Sequence, residues 1–302
     1  MLKIFSFFIY KIIYFFNQIF FLLVKRNFTG WLLHFLQLKS YKKFKIDNEK
    51  KIEFFTPNYL VEWRVRTFLT KEPETIEWIN NFENNNEFIF WDVGANIGLY
   101  SIYAALKFNK KIKIIAFEPS SSNIRILTRN ISINNFSEII NVNQIALTDK
   151  KNVFLNMNEP EFIEGSSLNT FGENFNYEGK EFTSKQKYKI FGTTLDSMID
   201  EKILMVPDYI KIDVDGIEHL ILRGGNKLFF SKKIKSVLIE INENFENQKN
   251  SILSFMQNHN FKFIKKENNP KNLGDSFKKT FNYIFEKLIK ISKIFLKKKV
   301  IL

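Results

Sequence analysis

Three acids in this chain stand at the ends of apolar runs: Asp92 after FIFW, Glu118 after IKIIAF and Asp213 after YIKI. A carboxylate so placed can accept hydrogen bonds from a ribose diol, hold an ammonium group or draw a proton from an alcohol. Gly94 and Gly98 follow the first acid in the order D-x-G-x-x-x-G. They permit a tight turn and bring backbone N–H groups at a helix start close to a ligand. Asp215, Glu218 and Glu240 add carboxylates beside the later runs.

Elements must position these groups, and the apolar pattern supplies them. The runs predict buried parallel strands at Phe88–Trp91, Ile112–Phe117, Ile139–Leu147, Tyr209–Val214 and Ser236–Ile241, with helices starting near Ile97 and over Asn123–Ile133. Strands alternating with helices predict an α/β fold with a doubly wound, mostly parallel sheet, whose ligands bind at the carboxyl ends of the strands. Glu118 lies about 25 residues beyond the glycine turn, where such folds hydrogen-bond a ribose. The turn is wider than G-x-G-x-x-G, which suits a nucleoside ligand without a pyrophosphate, such as S-adenosylmethionine.

Taken together, DVGANIG at 92–98, FEP at 117–119 with Asn123 and Asn130, ALTD at 146–149, TTLD at 193–196, KIDVDGIE at 211–218 and LIE at 238–240 resemble the FkbM-type methyltransferases. The resemblance spans residues 85–265. It implies a Rossmann-like, S-adenosylmethionine-dependent domain that methylates a hydroxyl of a sugar or secondary metabolite. By the same resemblance, Asp92, Gly94, Asn96 and Gly98 surround the methionine part of the cofactor, Glu118 takes the ribose, Ala146 borders the adenine and Asp213 faces the transferred methyl. The family commonly has Glu where this chain has Asp215, which keeps the charge and shortens the reach. Ser166 and Ser167 match a GSSL-like feature of the family and could face the cofactor.

Methyl transfer to an alcohol needs collinear alignment and a base for the hydroxyl proton. Asp213 is the expected base, with Asp215 and Glu240 in reserve; its alternative roles are to bind the cofactor's ammonium group or to anchor a loop. Glu218 reads as a first-turn acid favoured by its helix dipole, and His219 as a bystander. With no Cys and three scattered His, imidazole and thiolate metal sites are not built, although carboxylates at Asp213, Asp215 and Glu240 leave a hard cation open.

The net charge of +13 is unevenly spread. Residues 1–50 hold 9 Lys or Arg against 2 acids, residues 271–302 another 9 against 2, and the remainder is near neutral. A nucleic-acid substrate, which calls for basic charge around the cleft, is therefore not expected. Residues 1–29 read as an apolar, basic, membrane-associating helix, 30–85 as a small cap with a strand at Lys51–Phe55, 86–268 as the methyltransferase domain and 269–302 as a basic amphipathic helix. Trp63, Arg64, Arg66 and Trp78 in the cap could offer stacking faces and donors to a sugar, although core packing is the commoner use of tryptophan. Phe162–Lys189 reads as a long polar loop able to close over substrate. The expectation is an S-adenosylmethionine-dependent O-methyltransferase acting on a glycan, glycolipid or lipid-linked sugar at the cytoplasmic membrane face. Its competitors are a non-catalytic membrane-associated protein and, more weakly, a nucleotide-dependent oxidoreductase.

Overall fold

The computed structural model describes residues 1–46, 50–268 and 278–288. The chain opens with two helices, α1 (Leu2–Val24) and α2 (Thr29–Leu38), and a hairpin of β1 (Tyr41–Lys45) and β2 (Lys51–Phe55). Helices α3 (Tyr59–Lys71) and α4 (Pro73–Asn80) follow. Pro73 disfavours helical backbone at the residue before it, so α3 stops at Glu72 and the chain turns there. That break is used by the site.

Among the described residues the central sheet contains seven strands. β3 (Phe88–Val93), β4 (Ile112–Phe117), β5 (Ile140–Asn143), β10 (Tyr209–Ile212) and β11 (Ser236–Asn242) are parallel and stand in the order β5-β4-β3-β10-β11. The strand order reverses between β3 and β10, the switch point at which open α/β sheets make a crevice. Helices α5 (Leu99–Phe108) and α6 (Ser121–Ile133) cross between the first strands. A smaller sheet lies between β5 and β10 in the chain: β6 (Ala146–Leu147), β7 (Val153–Glu159), β8 (Thr170–Phe171) and β9 (Gln186–Thr193). Helices α7 (Leu195–Asp200), α8 (Glu218–Arg223) and α9 (Glu246–Asn258) complete the crossovers.

The sheet ends with β12 (Phe261–Glu267) and β13 (Thr280–Lys287), β13 running antiparallel between β11 and β12. This corrects the expected helix over 269–302. Phe281, Ile284, Phe285 and Leu288 fit helical spacing, but alternation fits the burial better: Phe281, Tyr283 and Phe285 pack on one apolar layer and Ile284 on the other. The α/β domain therefore continues past 268 to Lys287, and the rest of the expected C-terminal helix lies outside the described residues. Two smaller expectations also change. Ile139–Leu147 is not one strand, because Ala146–Leu147 leaves the main sheet to pair with β9. Phe162–Lys189 is not all loop, since it contains β8 and the start of β9.

Both faces of the sheet are covered. On one, Phe90, Ile114 and Leu238 pack with α5, α6 and the cap residues Phe54, Phe55 and Phe68. The cap thus shares the domain's core. On the other, Trp91, Ile210 and Ile239 pack under α8, α9 and the small sheet. Phe82 stacks on Tyr209 at 3.9 Å between ring centroids, sealing the amino-terminal end of the crevice.

Candidate functional site

Register sets the floor of the site. The last parallel pairs are Val93 with Ile212 and Ile212 with Ile239, so Gly94, Asp213 and Glu240 come side by side one residue later. Asp213 N–H donates to the Val93 carbonyl at 3.0 Å. Gly94 has φ +83° and passes so close to β10 that a Cβ there would lie 1.8 Å from the Asp213 carbonyl oxygen. Only glycine meets both demands. Above this floor opens a cleft of about 420 Å³, bounded by Trp63, Arg64, Phe68 and Lys71 from α3, by Asn96 and Tyr100, and by Phe281 and Asn282 of β13.

Lys211 governs the floor's charge. It sits in the register position opposite Asp92, on the same face of β10 as Asp213, and is 1% exposed. Its ammonium group donates to Asp213 Oδ2 at 2.6 Å and lies 5.1 Å from the centre of the Tyr100 ring. Burial alone would lower the Lys211 pKa, but Asp213, Asp92 and Glu72 outweigh it and hold the ammonium above the ordinary lysine value. Glu72, presented by the α3–α4 break, accepts from Lys71 at 2.6 Å and from Tyr100 Oη at 2.7 Å. Burial pushes its carboxyl up, yet Lys71 and Lys211 bring it down to about 2. Opposite, Asp215 is pushed up to about 6 by burial and by Asp213. Glu240 is pushed well above the usual carboxylate range by burial, Asp213 and Asp215. Two carboxyl groups that hold protons more readily than usual, Asp215 and Glu240, thus stand beside Asp213, an arrangement able to accept a proton near neutral pH.

The glycine turn is roofed by a strap, residues 164–168. Asn123 Oδ1 accepts from Gly165 N–H at 2.9 Å, and the Asn96 and Asn123 amides donate to the Ser166 carbonyl at 2.9 and 3.0 Å. Leu168 N–H donates to Asp215 Oδ2 at 2.8 Å, and Arg64 Nε to the Gly165 carbonyl at 2.5 Å. Ser166 and Ser167 line the cleft from this roof. Glu118 lies beneath the turn: Oε2 accepts from Asn96 N–H at 2.7 Å and Oε1 from Ser120 N–H at 2.9 Å. Burial pushes its carboxyl up to about 7. It lines neither cavity, so its free lone pairs meet a ligand only if the roof lifts.

Gly94 also borders a second, narrow apolar slot of about 40 Å³, lined by Phe117, Pro119, Ala146, Leu147, Val214 and Ile217. Asn169 reaches its edge with Oδ1 buried and without a protein partner, as are Asn96 Oδ1 and Asp92 Oδ1 nearer the cleft. An apolar slot for a flat ring, unpaired polar atoms along the turn and a carboxylate between them fit a nucleoside carrying an amino-acid tail.

The structure brings together Gly94, Asn96, Asp213, Asp215 and Glu240 around the cleft and puts Ala146 in the slot. Asp92 is 1% exposed beneath the turn, accepting from Ser101 Oγ at 2.6 Å. Gly98, at φ +86°, starts α5 and packs against Leu127, so it shapes the turn from behind. Glu218 opens α8 and accepts from Val214 and Gly216 N–H at 3.0 and 3.1 Å. His219 borders neither cavity; burial and Arg223 push it down to about 4. Trp78 is core, donating to Ser236 Oγ at 2.9 Å, whereas Trp63 faces the cleft. Among the described residues no three His, Asp or Glu side chains gather to hold a metal ion.

Lys211, Glu72 and Tyr100 escape the sequence reading. Lys211 had a visible signal: a charge inside an otherwise apolar strand, two residues before a carboxylate, has to be paired. Glu72 and Tyr100 had none, because only the packing of α3 and α5 against the sheet brings them to Lys211.

Known proteins are similar to this chain to differing degrees. Methyltransferase sdnD of Sordaria araneosa is 27% identical over 176 residues, covering 52% of this chain and 66% of that protein. The crystal structure of methyltransferase FkbM from Methylobacillus flagellatus superposes with a TM-score of 0.46 at 15% identity, covering 74% of this chain and 53% of that one. Precorrin-6y C5,15-methyltransferase from Geobacter metallireducens gives 0.41 at 11% identity, covering 72% and 90%. The chain thus spans about two thirds of the curated relative and about half of the first of these structures. The model of the methyltransferase FkbM domain matches residues 92–263, from the acid before the glycine turn to the penultimate strand of the sheet, and the chain belongs to that family.

Proposed function

We propose that this protein is an S-adenosylmethionine-dependent O-methyltransferase that works in the cytoplasm on a hydroxyl of a sugar, glycolipid or lipid-linked glycan. The observation that carries the reading is the row Gly94, Asp213 and Glu240 at the switch point, with Asp215 beside it and an apolar slot on the far side of the turn. The cofactor, when bound, supplies an electrophilic methyl group on a sulfonium. The slot around Ala146 and Pro119 takes its ring, with Asn169 at the rim. Glu118 meets the ribose once the 164–168 strap has moved, and Asn96 with the turn's backbone holds the amino-acid tail.

The chain's own contribution to the reaction is alignment and a proton acceptor. The wall of Trp63, Phe68 and Phe281 offers flat apolar faces to a sugar ring, and Arg64 and Lys71 add cationic donors near its hydroxyls. Asp213 keeps Oδ2 on Lys211 and takes the acceptor's proton on Oδ1. Asp213 is neutral once it carries that proton, and Asp215 and Glu240 are the neighbouring carboxyl groups to which the proton can pass.

Calorimetry with S-adenosylmethionine, S-adenosylhomocysteine and NAD tests the cofactor. Binding of both sulfur ligands and not NAD is expected; binding of NAD alone favours an oxidoreductase, and binding of none a non-catalytic protein. A methyl-transfer screen over glycans and lipid-linked sugars then identifies the acceptor. Asp213→Asn should abolish turnover while calorimetry still registers the cofactor.

A further inference from the structure

Helix α1 is 23 residues long, and among its side chains only Asn17 is buried. At 1.5 Å per residue it extends about 35 Å, enough to reach through the hydrocarbon of a bilayer. Its polar residues Lys3, Ser6, Tyr10, Lys11, Tyr14, Asn17 and Gln18 share an arc of about 140° at 100° per residue, leaving about 220° to Phe, Ile and Leu. The chain covers that polar arc at one point, Asn17. Asn17 Nδ2 donates to Asn27 Oδ1 at 2.8 Å, Phe28 N–H donates to Asn17 Oδ1 at 3.0 Å, and Phe20 packs edge-on against Phe28. The Asn17 amide is thereby satisfied by the turn, and the broad face opposite the polar arc carries only apolar side chains.

α2 continues the surface. Trp31 is 67% exposed, and Leu33, Phe35, Leu36 and Leu38 are more than half exposed. We propose that α1, the turn and α2 form a docking hairpin for a lipid bilayer bearing anionic headgroups. Charge and shape both argue for that partner. Lys25 and Arg26 at the turn, with Lys39, Lys43 and Lys45 where α2 passes into β1, are exposed beside the apolar face, the placement that anionic headgroups attract. A second copy of the chain would cover a narrow seam of the coiled-coil kind, whereas this face wraps well over half the helix. Lys11, 5.2 Å from the Phe7 ring centre, lies along the helix as a cation does when its stem crosses apolar surface to reach the headgroups. The hairpin is tied to the catalytic domain: Arg125 of α6 reaches Gln37 of α2 at 3.5 Å and Glu164 of the strap at 2.6 Å. Docking would set the bilayer beside the roof of the cleft.

The surface stands independently of the methyl-transfer reading, and its test measures partition, so either can fail alone. The full chain, purified in mild detergent and freed of it, is floated with vesicles of phosphatidylcholine containing phosphatidylglycerol and with vesicles of phosphatidylcholine alone. Flotation with the first and about tenfold weaker partition to the second is expected. Phe8→Asp with Phe16→Asp should leave the protein at the bottom of the gradient with an unchanged thermal unfolding midpoint. Lys25→Glu with Arg26→Glu should remove the preference for the anionic vesicles. A wild-type chain that stays at the bottom with both vesicles overturns the proposal. So does a stable detergent-free dimer that ignores vesicles, or a double aspartate variant that floats like the wild type.

Discussion

Lys211, almost wholly enclosed, binds Asp213, whose carboxylate opens to the cleft, across 2.6 Å. The pair places a fixed positive charge under the floor and leaves one carboxylate oxygen to the substrate side. Removing the cation would leave Asp92 and Asp213 without their counter-charge and Glu72 with Lys71 alone. Lys211→Met is expected to cost about 3–5 kcal/mol of stability, the usual scale for breaking a buried pair from one side. Thermal and urea unfolding measure it, and a loss below 1 kcal/mol would mean that the acids simply take up protons.

The pH dependence of turnover should carry an acid limb. Burial and Asp213 push Asp215 up to about 6, so the carboxylate group accepts a substrate proton poorly below that pH and better above it. Activity should rise through about pH 6, and Asp215→Asn should displace that limb. The same raised pKa sets the sign for stability: ionisation is costlier in the folded state than in the unfolded chain. The Asp215 contribution therefore falls as pH rises from about 4 to 6 and stays low above it. An Asp215→Asn variant with an unshifted rate profile would exclude the residue from the proton path.

Gly94→Ala combines a left-handed backbone with a collision against the Asp213 carbonyl. A destabilisation of about 2–4 kcal/mol is expected, together with at least tenfold weaker S-adenosylmethionine binding by calorimetry. Gly30 has open space where a Cβ would go, so Gly30→Ala serves as the control.

Asn130 is fully enclosed and links three elements: it accepts from Phe55 N–H at 2.8 Å and donates to the Ile97 carbonyl at 2.9 Å. Asn130→Ala leaves a buried donor and a buried acceptor unpaired, and should cost about 2–3 kcal/mol. Because the lost bonds tie the cap to the glycine turn, hydrogen exchange should rise first at residues 94–98 and 52–55. Protection unchanged at both segments would sever that link.

The strand-end acids, the glycine turn, the strand at Lys51–Phe55 and the alternation of strands with helices were legible in the sequence, because each is a local matter of burial period, backbone freedom and capping. The same local rules misread Thr280–Lys287, where aromatic spacing satisfies a helix and a strand equally. Only the gap beside β11, which needs a partner on its free edge, decides for the strand. The sequence by itself also determined the family, through short motifs in fixed order, and the segregation of positive charge to the chain ends. Tertiary structure decided which carboxylates face the cleft, that Glu118 is engaged by Asn96 and Ser120 under a closed strap, and that Glu72 and Tyr100 complete the Lys211 network. The physical reason is range. Propensity and periodicity act over a few residues, while an ion's state in a closed site is set by every charge within several ångströms, and those arrive from parts of the chain more than a hundred residues apart.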